Sequence, residues 1–316
     1  MANATFTNST YAGQAALPFV APAILSADTL ANGYISVLDN VRYKANLRKL
    51  TGGVIDARQC GFTTPSSGGL DISDVVLTTT QLQVNEQICN DDLAQTWAAE
   101  QMRGNYAGAP GDYVSFLGQY VAARVAANIE QNIWQGNYAY DGSGGTVVVD
   151  EFNGICKYIV DESPTHETTA TLPLAAADSA GVSVGILTAL AAITADAPAA
   201  IAGDPDAVIF MSRASAQLYY QALAATYNLP FLNDGMVAKY AGYTIITPAG
   251  FPADTLLLGK KENFYFGTNL LTDHVEARFL DLTGTTGDAV TRVVMLFDGG
   301  TQVIDHDSYS VWRRTA

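Results

Sequence analysis

The sequence predicts an α+β fold, and three observations carry that prediction. A run from Asp112 to Gln135 places apolar residues at every fourth position, the mark of a long amphipathic helix. Residues 41–58 and 75–89 read as two strands around a Gly/Ser/Pro-rich tip. From residue 276 onward strand patterns follow one another, after a stretch in which strands and helices alternate.

The elements take shape in chain order. Residues 1–25 are rich in Ala, Thr and Asn, contain Pro18 and Pro22, and show no helical or strand period. They read as an extended arm. With Phe6, Tyr11, Phe19 and Ile24 it is too apolar for a free tail, so it is expected to lie on its own body or on a neighbour. Ser26 then reads as the N-cap of a helix over 26–39, with Leu30, Tyr34, Val37 and Leu38 on one side. The strand-like segment 41–58 is basic: Arg42, Lys44, Arg48, Lys49 and Arg58 fall within it. The turn-rich stretch 61–74 and the alternating run 75–89 complete a long hairpin. Its tip has almost no apolar content to hold it in a core, and an isolated hairpin is marginal in water, so another subunit is the expected support.

Asp91 or Asp92 caps a predicted helix carrying Leu93, Trp97 and Met102, with Gly104 beyond its end. The next helix, capped by Asp112, has Leu117, Val121, Val125, Ile129 and Ile133 on one stripe and stops at Gly136. At about 1.5 Å per residue it is about 35 Å long, enough to act as a strut. A turn and short strand follow, then a short helix with Phe152, Ile155, Cys156 and Ile159. Residues 163–180 read as loop, and a helix is expected near 183–195. Ala207–Met211 is a continuous apolar run, as in a strand buried on both faces. A helix capped by Ser212 comes next, and then strands at 240–247 and 254–268. The last part reads as a hairpin turning at 283–288, with Gly299 and Gly300 turning the chain into a final strand.

Composition narrows the function. The chain has 316 residues, 48% hydrophobic and only 15% charged, against about 25% charged in an average globular protein. So few charges leave much ordinary surface for contact with other chains. Acidic residues outnumber basic ones 31 to 16, a net charge of −15, which argues against a tight nucleic-acid binder. Cys60, Cys89 and Cys156 form no CxxC pair, and reduced thiols are expected. There is no run of eighteen apolar residues and no basic, apolar leader at the N-terminus, so no membrane span or secretion is expected. His166, His274 and His306 are scattered, without the spacing of metal ligands. Asp305-His306-Asp307 is the one tempting cluster, but in a strand the histidine would face away from both aspartates. No GxSxG, P-loop or GxGxxG occurs. No catalytic residue, cofactor or metal site is expected.

The serial order of parts resembles the coat-protein fold of tailed bacteriophages, the Hong Kong 97 type. That order is arm, helix, polar-tipped hairpin, short helix, long helix ending at Gly136, Gly-containing short helix, compact α/β region and closing strands. Local runs are similar too: VNEQICNDDLAQTW, NIEQNIWQGN, DEFNGICKYI, AVIFMSRASAQLYYQAL and YAGYTIITPAGFPADTLLLGKKENFYFG. No single motif is diagnostic; the order carries the resemblance over nearly the whole chain. It implies an N-arm over 1–40, an E-loop with flanking strands over 41–90, and a P-domain with the spine helix (112–135) over 91–144. An A-domain over 145–286 and closing P-domain strands over 287–316 complete the division.

It also implies a virion shell of hexamers and pentamers that encloses double-stranded DNA without reading its sequence. Portal, scaffolding and decoration proteins are its implied partners. Contacts between copies are expected at Arg42, Lys44, Arg48, Lys49 and Arg58, at Phe6, Tyr11 and Phe19 of the arm, and at Phe62 of the hairpin. Residues 59–90 contain no Lys, so the covalent crosslinking of some family members is expected to be absent. No long charged helix precedes the arm, so scaffolding is expected from a separate protein. Two rivals stay open on the sequence: an encapsulin-type bacterial compartment of the same fold, and a soluble α/β enzyme.

Overall fold

The computed structural model describes residues 9–12, 27–51, 71–89, 113–137, 149–162, 164–176, 184–227, 239–269, 276–282 and 290–315. The expected helix after Asp91, the hairpin tip with Arg58 and Phe62, and Phe6 and Phe19 of the arm lie outside them.

Two sheets and one long helix make the frame. The helix α2 (Tyr113–Gln135) buries Leu117, Val121, Val125, Ile129, Ile133 and Trp134 along one stripe, as its four-residue spacing predicts. Against it lies a sheet of β1 (Ser9–Ala12), β12 (Glu276–Asp281), β13 (Val290–Val303), β11 (Phe264–Thr268) and β2 (Ser36–Leu38) in that order, with β5 (Thr80–Cys89) on the other edge of β13. In β13 the odd positions Val293, Met295 and Phe297 face the helix, next to Phe279 of β12 and Phe266 of β11. The second sheet runs β6 (Glu167–Ala170), β14 (Tyr309–Arg314), β10 (Thr255–Lys260), β7 (Ala207–Met211), β9 (Tyr243–Ile246), β8 (Lys239–Tyr240). Its central strand β7 is buried on both faces, so every residue of AVIFM can be apolar. Val208 and Phe210 join the core of α2; Ile209 and Met211 join a second core made by α4 (Val184–Ala195) and α5 (Arg213–Tyr227). Ser212 caps α5, its Oγ accepting the Ser215 N–H at 3.1 Å. The short helix α3 (Ile155–Asp161) buries Ile155, Cys156 and Ile159 beside α2.

Four expectations need correction. The helix over 26–39 shrinks to one turn, α1 (Asp28–Ala31): Asn32 ends it, Gly33 follows at φ +62°, and the chain extends into β2, parallel to β11. Residues 163–180 hold a strand, β6, recruited by parallel pairing with β14. The Gly299-Gly300 pair is no turn. β13 runs straight through it, and a Cβ on Gly300 would lie 2.3 Å from the Thr78 carbonyl oxygen, so glycine allows two strands to touch backbone to backbone. The turn comes at 305–308, which also takes Asp305-His306-Asp307 out of any strand.

Candidate assembly interface

The expected hairpin exists as a two-stranded ribbon, β3 (Lys44–Thr51) and β4 (Asp71–Thr78), which pair only with each other. The second predicted strand is split at Thr79. Before it the chain belongs to the ribbon; after it β5 joins β13. Tyr43 and Thr79 face each other at this root: the Tyr43 N–H donates to Thr79 Oγ1 at 3.2 Å, and the Thr79 N–H donates to the Tyr43 carbonyl at 3.0 Å. Tyr43 has φ +112°, a conformation costly for a side-chain-bearing residue and held here by those two bonds.

The ribbon has two unlike faces, because strand side chains alternate. The inner face starts with Leu77, fully buried against Gly267 of β11, and continues to Lys49. The Lys49 ammonium meets Asp305 Oδ1 at 2.5 Å. Burial pushes the Asp305 carboxyl up, but the Lys49 ammonium, the Ser308 hydroxyl and the Asp307 N–H outweigh it and hold the group below the ordinary carboxylate range. The outer face is open along its length. Leu50 and Ile72 are cross-strand partners, 59% and 61% exposed, and Val76 stands on the same side. Arg48 and Asp74 form a loose pair at 3.6 Å between them. An exposed apolar pair on a strand ribbon is a candidate contact surface.

The structure scatters the predicted contact residues. Among the described residues Arg42 and Lys44 are exposed and pair with no carboxylate; the Lys44 ammonium lies 5.0 Å from the centre of its neighbour's ring, Tyr43. Arg48 holds Asp74 across the ribbon, and Lys49 is taken by its own chain through Asp305. Tyr11 lies in β1, where residues 9–12 pair with β12 of the same chain, so this part of the arm rests on its own body. Sequence reasoning missed Leu50, Ile72 and Val76. Ile72 falls in the stretch that reads as a turn-rich tip, and only the pairing of β3 with β4 puts all three residues on one face.

The root of the arm is clamped to the frame. Glu130, 3% exposed on α2, accepts the Thr29 N–H at 2.8 Å, the Thr29 hydroxyl at 2.6 Å and the Gly250 N–H at 3.2 Å. The Trp134 indole N–H donates to the same Thr29 hydroxyl at 2.7 Å. Asp28 adds Arg213 and the Ala249 N–H, both at 3.1 Å. No local pattern announces contacts made across about a hundred residues.

His306 meets the Tyr309 hydroxyl at 3.2 Å, and burial holds the imidazole below its usual range. Among the described residues no group of three or more His, Cys, Asp or Glu could hold a metal ion.

This architecture has known counterparts. A chain of the satellite phage P4 procapsid, solved with the size determination (Sid) protein, superposes with a TM-score of 0.63 at 15% identity; 99% of this chain and 94% of that chain are covered. The chain has the coat-protein fold of tailed phages. Chains from Gordonia phage Cozz (TM-score 0.57, 13% identity, 92% and 87% covered) and from the capsid of an empty GTA particle (0.54, 15%, 92% and 90%) are similar as well. No protein-family model matches the sequence, and no curated protein does. The coat fold is therefore legible in three dimensions where the sequences have diverged.

Proposed function

We propose that this chain is a major capsid protein: a structural subunit that assembles into hexamers and pentamers of an icosahedral phage head enclosing double-stranded DNA. The observation that carries the reading is the match of nearly the whole chain, 99%, to a procapsid chain. The open ribbon supports it independently, because Leu50 and Ile72 on its outer face are 59% and 61% exposed. In this reading β3–β4 is the E-loop, α2 is the spine helix, and the arm and E-loop reach neighbouring copies. Arg42 and Lys44, unpaired with any acid among the described residues, and the exposed pair Leu50 and Ile72 make the contacts. Many modest interfaces of this kind sum to a stable lattice. Portal, scaffolding and decoration proteins complete the proposed partners.

Size-exclusion chromatography followed by negative-stain microscopy tests the proposal. Megadalton spheres or rings of five and six support it. A species that stays near the 33.4 kDa of one chain under crowding agents, salt and scaffolding protein contradicts it.

A further inference from the structure

The ribbon leaves the body through a narrow joint. Asn40 and Tyr43 take positive φ, +63° and +112°, on either side of Val41, which is buried and donates its N–H to the Thr268 carbonyl at 3.1 Å. Thr79 closes the joint on the returning strand, and Leu77 is seated beside it, fully buried over Gly267. Farther out the cover thins: Leu47 and Val75 on the inner face are only half-buried. Among the described residues two polar contacts tie this outer part to the body. The Gln302 carboxamide donates to the Val76 carbonyl at 3.4 Å, a long and exposed bond, and the Lys49 ammonium donates to Asp305 at 2.5 Å. Lys49 lies four residues beyond Ala45, the cross-strand partner of Leu77, and so about 13 Å farther along the strand. An ion pair at that distance from the joint governs the tilt of the whole ribbon.

The receiving end is built without the ribbon. The Asp305 N–H donates to Asn263 Oδ1 at 2.8 Å, and its carbonyl accepts from Asn263 Nδ2 at 2.7 Å. The Asp305 carboxylate also accepts the Asp307 N–H at 3.0 Å and the Ser308 hydroxyl. All four bonds belong to the body, so the carboxylate keeps its place and its partners when Lys49 withdraws. The Lys49 and Asp305 side chains are 23% and 20% exposed even when paired, so neither charge is stranded away from water on opening. Stranding a charge is what makes a buried pair hard to break. We propose that Lys49 and Asp305 form a releasable latch that holds the ribbon on its own body, and that the ribbon pivots at Tyr43 and Thr79 when the pair opens. A few residues at the ends of elements suffice to absorb such a motion. Leu77 stays seated as the pivot, while Leu47 and Val75 are uncovered. The closed ribbon shows apolar side chains on its outer face alone; the open ribbon shows them on both.

The latch does not depend on the shell reading, and the unassembled subunit tests it. Spin labels on Asn46→Cys of the ribbon and Gln131→Cys of α2, both exposed positions, report the distance between ribbon and body by double electron–electron resonance. Cys60 and Cys89 are changed to Ser, and buried Cys156 is left in place. The unlatched protein should add a broader component at a different distance to the single narrow one of the latched protein. Lys49→Met should raise the population of that component about tenfold, and Lys49→Arg, which keeps a cation within reach, should not. Without any change at Lys49, about 1 M NaCl should shift the distribution the same way as Lys49→Met. A distribution that Lys49→Met and salt both leave narrow, or one already as broad with Lys49 present as in Lys49→Met, overturns the inference and leaves the shell reading untouched.

Discussion

Replacing Glu130 probes the clamp that joins the arm's root to the long helix. In Glu130→Ala the Thr29 and Gly250 N–H groups, both buried, lose their acceptor. At about 2 kcal/mol for each buried donor left unpaired, the loss is about 4 kcal/mol. Unfolding entropy of about 2.1 cal/mol/K per residue, over a chain of 316 residues, converts 1 kcal/mol to about 1.5 °C. The melting temperature should therefore fall by about 6 °C. Glu130→Gln keeps the shape, but whichever way its amide turns, an NH₂ faces a donor. About 2 kcal/mol, or about 3 °C, should be lost. Circular-dichroism melts of the unassembled subunit read both. If both variants melt within about 1 °C of wild type, the three hydrogen bonds do not hold the arm's root and the reasoning is wrong.

Other consequences can be checked on the same subunit. Gly300→Ala forces a methyl group against the Thr78 carbonyl and should cost about 1–3 kcal/mol or more in urea unfolding; an unchanged midpoint would show that the β13 and β4 backbones can part freely. Asp305 is held below the unfolded carboxylate range, so its contribution is complete above about pH 4 and lost as pH falls through the lower folded value. Asp305→Asn should flatten that acid limb of the stability profile, and an unaltered limb would contradict the pair with Lys49. His306 is held neutral by burial, so its contribution should be present above about pH 6.5 and fade as pH falls below it; His306→Gln should remove that slope. Burial pushes the Cys156 thiol up, so maleimide should modify exposed Cys89 in the native subunit and reach Cys156 only on unfolding, as peptide mass spectrometry would show.

The parts of the fold written in local periodicity were legible in the sequence. The stripe of α2, the continuous run of β7 and the Ser212 cap each follow from spacing a few residues long. What was not legible depends on partners far along the chain. Val37 and Leu38 fit a helical stripe, yet pairing with Phe266 and Gly267 makes them a strand. Gly299-Gly300 has the composition of a turn, but Gly300 instead allows close contact with Thr78 and Thr79. The candidate interface divides the same way. The hairpin and its basic strand could be anticipated, but the capture of Lys49 by Asp305 spans 256 residues and could not. The exposed pair Leu50 and Ile72 emerged only once the register was known.

Cryo-electron microscopy of the assembled particle bears most directly on the whole account. The account predicts a closed shell in which the outer face of the β3–β4 ribbon, with Leu50 and Ile72, is covered by an adjoining subunit. Particles in which that face stands bare to solvent, or a protein that never leaves the single-chain state, would contradict it.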